Sequence, residues 1–172
     1  AAVEKAADTV VATVGDKELT NRKLQVYFNI VVNDFVMNYY SYLSEIGLDY
    51  TKPLNEQKCY FEQDKSWEEY FVDTAIETWV SYQSIVLLAD EDGYKMDADT
   101  QQSLNDLPAQ LDEQAKEAGY ESADALLKEQ MNCTMAEYVD YWTMYEIGVG
   151  YTNQKPAAAE VEKFFKEHKE DY

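Results

Sequence analysis

Between Thr20 and Gly47 the chain runs without a glycine or a proline, and Leu24, Tyr27, Phe28, Val31, Phe35, Tyr39, Tyr42, Leu43 and Ile46 recur at steps of three and four. A helix of 3.6 residues per turn gathers such residues on one face, whereas a strand would scatter them over both. Thr20 offers a hydroxyl that can cap the first turn, and Gly47 can take the left-handed conformation that ends the last one. The spacing therefore predicts one helix of about 26 residues, roughly 39 Å long at 1.5 Å per residue. An element of that length leaves its ends projecting from a domain of this mass, so an elongated all-α fold is expected.

The rest of the chain agrees with that class. Three prolines and six glycines in 172 residues, with no Gly-Gly pair, leave long uninterrupted segments. Ahead of the first helix, Val10–Val14 is mostly β-branched, Gly15-Asp16 is a turn pair, and Lys17-Glu18-Leu19 can return as a second strand, a short β arm. Leu48–Lys65 has no helical period and reads as an extended crossing. Ser66 with Glu69 three residues on is a capping box, and Trp67, Phe71, Ala75, Trp79, Tyr82 and Val86 share a face up to Gly93. Asp97 caps a third helical stretch to Gly119, kinked at Pro108. Ser122 opens a short helix to about Met131, Thr134 opens another that Gly148 and Gly150 loosen at its end, and Pro156 starts a last helix to Tyr172. One domain over residues 10–172 follows, behind a tail of residues 1–9.

Charge narrows the partners. Fourteen Lys and Arg stand against 34 Asp and Glu, a net charge of −20, which repels phosphate backbones and anionic headgroups. Nucleic acid is excluded as a partner, and no segment has the ~20 apolar residues that membrane insertion needs. With 46% hydrophobic residues and 15 tyrosines the chain still has material for a core, so the acidic excess reads as a solubilising surface.

Chemistry-bearing patterns are sparse. The single histidine, His168, lies in the charged run Lys166–Glu170, where nothing positions it as a base or a ligand. Phosphate-binding glycine loops and zinc spacings do not occur, and Asp90-Glu91-Asp92-Gly93 lacks the alternate ligands of a calcium loop. No cofactor or metal is implied, and no catalytic residue is assigned. Cys59 and Cys133 flank the starts of two helices; one disulfide and two buried thiols both remain open.

Apolar residues exceed what a single buried face requires. Met37 and Tyr40 lie off the main stripe of the first helix, and Met144 stands beside Tyr141 and Tyr145 in the Thr134 helix. A thioether adapts to varied shapes and a phenol is apolar with a polar tip, so these five are the candidate residues for holding extended apolar peptides.

Val11-Ala12-Thr13-Val14-Gly15-Asp16-Lys17-Glu18-Leu19-Thr20, running into a long aromatic helix, resembles the opening of SurA/PrsA-type extracytoplasmic foldases. Gly15-Asp16 replaces the Asn-Gly turn usual there. Ser66-Trp67-Glu68-Glu69-Tyr70-Phe71, Ala89–Tyr94, Ala118-Gly119-Tyr120, Ala125-Leu126-Leu127 and Thr134–Tyr138 follow in that family's order, and Ala159–Tyr172 resembles the helix leading into its parvulin-type prolyl isomerase domain. The resemblance implies a SurA-N/trigger-factor-C-like helical chaperone domain outside the cytoplasm, secreted or lipid-anchored, with its leader removed upstream of Ala1. Its implied partners are unfolded or extended polypeptide clients. It assigns isomerase activity to a domain beyond Tyr172, not to this chain.

Two other classes compete with this binding module. A carboxylate-using carbohydrate hydrolase would need two carboxyls ~5–9 Å apart in a cleft. A structural domain that forms a homodimer would bury its surplus aromatics against a second copy.

Overall fold

The computed structural model describes residues 7–154; the last helix expected from Pro156, and with it His168, lies outside them. Two short strands, five α-helices and two 3₁₀ turns form among the described residues. β1 (Val10–Val14) and β2 (Lys17–Thr20) pair antiparallel, with Val14 opposite Lys17 and Ala12 opposite Leu19. Gly15 turns the hairpin at a φ of +60°, which costs a residue without a Cβ little. A register shift between Val10 and Ala12 leaves Val11 unpaired. Leu19, with no exposed surface, fastens the arm to the core.

α1 (Asn21–Tyr39) starts where expected: the Thr20 hydroxyl accepts the Lys23 N–H at 3.4 Å. It ends earlier. At Tyr40–Tyr42 the chain tightens into a 3₁₀ turn, and the Leu48 N–H then reaches back to the Leu43 carbonyl around Gly47, whose φ is +67°. This change of winding sends Leu43 and Leu48 inward and Tyr40 and Tyr42 outward, which the uniform period to Ile46 did not show.

The following segment, expected as an extended crossing, is a folded loop. Gln57 Nε2 donates to the carbonyls of Asp49 and Pro53 at 2.9 and 3.1 Å, and its Oε1 accepts the Asp49 N–H at 2.8 Å. The loop closes where Cys59 N–H bonds to the Lys65 carbonyl and Trp67 N–H to that of Gln57.

α2 (Trp67–Glu91) carries the expected capping box, with Ser66 N–H on Glu69 Oε2 at 2.7 Å and Glu69 N–H on Ser66 Oγ at 3.2 Å. Gly93, at a φ of +68°, stops it. α3 (Ala98–Glu117) is capped by Asp97 and absorbs Pro108 without a break. α4 (Ala123–Met131) ends on Asn132 in the left-handed region at a φ of 51°. α5 (Met135–Gln154) has its own box, Thr134 N–H to Glu137 Oε2 at 2.8 Å and Glu137 N–H to Thr134 Oγ1 at 3.3 Å, and it runs unbroken through Gly148 and Gly150.

Tyr27 meets Tyr82 and Phe35 meets Phe71, so α1 and α2 run antiparallel. α5 lies across both, with Tyr141 against Tyr27 and Tyr82. Two apolar clusters result. The larger joins Leu19, Leu24, Val26, Tyr27, Ala75, Trp79, Leu127, Cys133, Tyr141 and Met144; the smaller joins Leu43, Leu48, Cys59, Trp67 and Phe71. The architecture is all-α with a short β arm. No helix among the described residues is long and apolar enough to cross a membrane.

Candidate functional site

The five candidate peptide-binding residues do not converge. Tyr141 and Met144 are core, with 5% and 6% of their surface exposed, and the Tyr27 hydroxyl donates to Met144 Sδ at 3.4 Å. Burial first, then the neighbouring Tyr82, raises the Tyr141 phenol well above its ordinary value. Tyr145 is half-buried, stacked on Tyr141 and edge-on to Trp142. Met144 is packed inside the bundle, and Tyr141 shows only a small edge at the floor of a groove, which corrects their assignment as a binding surface: α5 lies on α1 and α2, so its aromatic stripe has two partners to satisfy.

Met37 and Tyr40, by contrast, are 78% and 65% exposed. They lie where α1 gives way to the 3₁₀ turn, in a surface that the sequence reading only partly anticipated. Tyr39, Tyr42, Tyr50, Tyr60 and Phe61 are exposed there as well. Tyr39 stacks on Phe35 at 4.6 Å, Phe35 meets Phe61 edge-on at 6.2 Å, and Phe61 meets Tyr60 at 5.5 Å, so these four rings are continuous. The signal available beforehand was the pair of runs Tyr39-Tyr40-Ser41-Tyr42 and Tyr60-Phe61; their exposure depends on the helix ending at Tyr39.

Two depressions have residues of this end in their linings. A groove of about 610 Å³ runs between Tyr40, Leu43 and Gly47 on one side and Leu48, Tyr50 and Gln57 on the other. A second, of about 330 Å³, follows the α1–α2 seam past Phe35, Tyr39, Tyr70 and Tyr82 down to Tyr27 and Tyr141. Its lining holds one carboxylate, Asp34, and desolvation raises the Tyr82 and Tyr70 phenols. Beneath it Trp67 is fully buried, its Nε1–H has no hydrogen-bond partner, and Phe61 and Tyr70 stand perpendicular to its ring.

The carboxylates with resolved shifts serve the backbone. A hydrogen bond from the Thr51 hydroxyl, then Lys52, lowers Asp49 to about 2, while Glu69 and Asp97 are lowered by the N–H groups they accept at helix starts. Among the described residues no group of three His, Cys, Asp or Glu could hold a metal ion. Cys59 and Cys133 are free and buried in different clusters, so the disulfide alternative is not realised. Packing of the α2 and α5 starts into separate cores keeps them from meeting.

The fold and surface together define an all-α protein with a β-hairpin arm and an exposed aromatic groove at one end. No family model matches the chain, and no curated protein or solved structure matches it either.

Proposed function

We propose that this chain is a chaperone domain that holds unfolded or extended segments of secreted proteins, as part of a SurA/PrsA-type foldase acting outside the cytoplasm. The observation that supports this reading most is the set of exposed side chains Tyr39, Tyr40, Tyr50, Tyr60 and Phe61, together with Met37 near the end of α1. Exposed aromatic and methionine side chains on a strongly acidic chain bind apolar segments by area rather than by shape. Each such side chain contributes roughly 1–2 kcal/mol when covered, and ordering costs take back much of the sum. Weak, multi-site, rapidly exchanging binding is the result, and the net charge of −20 keeps a loaded complex soluble.

The site is assigned to Met37, Tyr40 and the rings around them; Tyr141 and Met144 support it from the core. No catalytic role is proposed. The test is light scattering from an aggregating unfolded client in the presence of the chain and of a Met37→Ser/Tyr40→Ser/Tyr50→Ser variant. The expected result is delayed aggregation that the variant loses while its helical circular dichroism is unchanged. Undiminished protection by the variant would remove the assignment. Sedimentation of the same samples decides the dimer reading, since a stable dimer dissociated by these substitutions would mean the aromatic surface serves self-association.

A further inference from the structure

At the other end of α2, a half-open cleft of about 400 Å³ lies between β2, α2, the connector to α3, the start of α3 and α5. Gln83 lines it. Its residue surface is only 7% exposed, yet its amide forms no hydrogen bond with any described group. Two other neutral polar groups of the lining are engaged within their own helices: Thr143 Oγ1 donates to the Val139 carbonyl and Gln101 Nε2 to Asn105 Oδ1. The amide's polar atoms are not sealed in the interior but open on this cavity, so both its donor and its acceptor are free to bond a ligand there.

The rim carries charge of both signs. Lys17 and Lys95 supply two ammonium groups, and Asp90 one carboxylate. Lys17 holds only the adjacent exposed Asp16, and Lys95 forms no ion pair with a described residue. With Lys17 paired to Asp16, Lys95 and Asp90 are the charges of opposite sign in the lining left unpaired among the described residues. Between rim and floor the walls are apolar, chiefly Val86, Leu87 and Ile147. Tyr94 closes one side; its ring packs on Tyr151 at 5.9 Å and lies against Gly150, where a side chain would displace it.

We infer that this pocket binds a small zwitterion with an apolar body, the pattern of a hydrophobic α-amino acid. The ligand carboxylate lies at the lysines, its ammonium toward Asp90, its side chain against Leu87 and Ile147, and Gln83 gives and takes hydrogen bonds at the floor. Nothing in this depends on client binding, which uses the opposite end of α2.

The test is isothermal titration calorimetry with L-leucine and L-phenylalanine, and with phenethylamine and phenylpropionate as analogues lacking the carboxylate or the ammonium. The expected result is saturable binding of at least one amino acid, weakened about tenfold or more by loss of either charged group. Gln83→Leu should abolish it while leaving the fold as stable or more so, because an unpartnered amide is exchanged for an apolar group of similar size. Should Gln83→Leu fail to fold, Lys95→Gln on the exposed rim is expected to show the same tenfold loss. Absence of binding up to about 10 mM, or binding indifferent to both substitutions, overturns the proposal.

Discussion

The Tyr94 hydroxyl occupies the space that a Cβ at residue 150 would need. Gly150 is therefore a contact site inside α5, and the helix runs past it to Gln154. Alanine is ordinarily favoured over glycine by ~1 kcal/mol within a helix, but here it must push the Tyr94 ring aside at a cost of about 1–3 kcal/mol. Gly150→Ala is thus expected to destabilise the chain by about 1 kcal/mol, and to stabilise it by a similar amount in a Tyr94→Ala background. Chemical denaturation of the four proteins checks this; equal effects in both backgrounds would mean that the two residues do not touch.

The two halves of the candidate aromatic set should separate in stability. Tyr141→Ala removes a buried ring that touches Tyr27, Tyr82, Trp142 and Tyr145, and a loss of about 3–5 kcal/mol is expected. Tyr40→Ala removes an exposed ring and should change stability by less than about 0.5 kcal/mol. Urea midpoints of the two variants that coincide would contradict the burial assigned to one of them.

Both cysteines should be unreactive in the folded chain and free in the unfolded one. Burial, then the Glu137 and Asp124 carboxylates, pushes the Cys133 thiol up to about 11, so little thiolate is present at neutral pH. A thiol reagent should modify neither Cys59 nor Cys133 until denaturant is added, and then both, without any reductant. Recovery of fewer than two thiols would point to a bond that the structure does not contain.

Gln57 holds its loop through bonds to Asp49, Lys52 and Pro53, and Gln57→Ala should cost about 2 kcal/mol, since the two part-buried bonds to Asp49 are each worth roughly 1 kcal/mol net and the exposed ones add little. Unfolding of this variant at the wild-type midpoint would show the loop to be held by other contacts.

Asp49 belongs to the same loop and titrates at about 2 against an ordinary 3.8. A carboxylate lowered in the folded state adds stability above its unfolded value, and that contribution fades as pH falls from about 3.8 toward 2. Because the group is exposed the contribution is small. Asp49→Asn should flatten that part of the stability profile, measured by denaturation across this acid range, and an unchanged slope would assign the acid sensitivity elsewhere.

Helix starts were legible because their signals are local. Thr20, Ser66, Asp97 and Ser122 each cap the helix expected of them, through side chains only three residues from the N–H they accept. The Glu137 half of the α5 box was equally local, and Thr134-Met135-Ala136-Glu137 displays the pattern in sequence. The β arm followed from a β-branched run and a turn pair. Such features depend on a few neighbouring residues and survive whatever the rest of the chain does.

What the tertiary structure alone decided is which apolar residues face inward. The stripe Tyr27–Tyr42 has one period in sequence, yet Tyr27 is sealed by α5 while Tyr40 and Tyr42 face solvent beyond the 3₁₀ turn. Met37 and Met144 look alike as surplus methionines; only the placement of α5 across α1 and α2 buries the second and leaves the first outside. Gln83 and Gly150 carried no local signal at all, because one matters for a cavity made by several elements and the other for a ring that arrives from a different helix end. Capping and periodicity are properties of a segment and can be read from it, whereas exposure is a relation between segments distant in sequence and exists only once they pack.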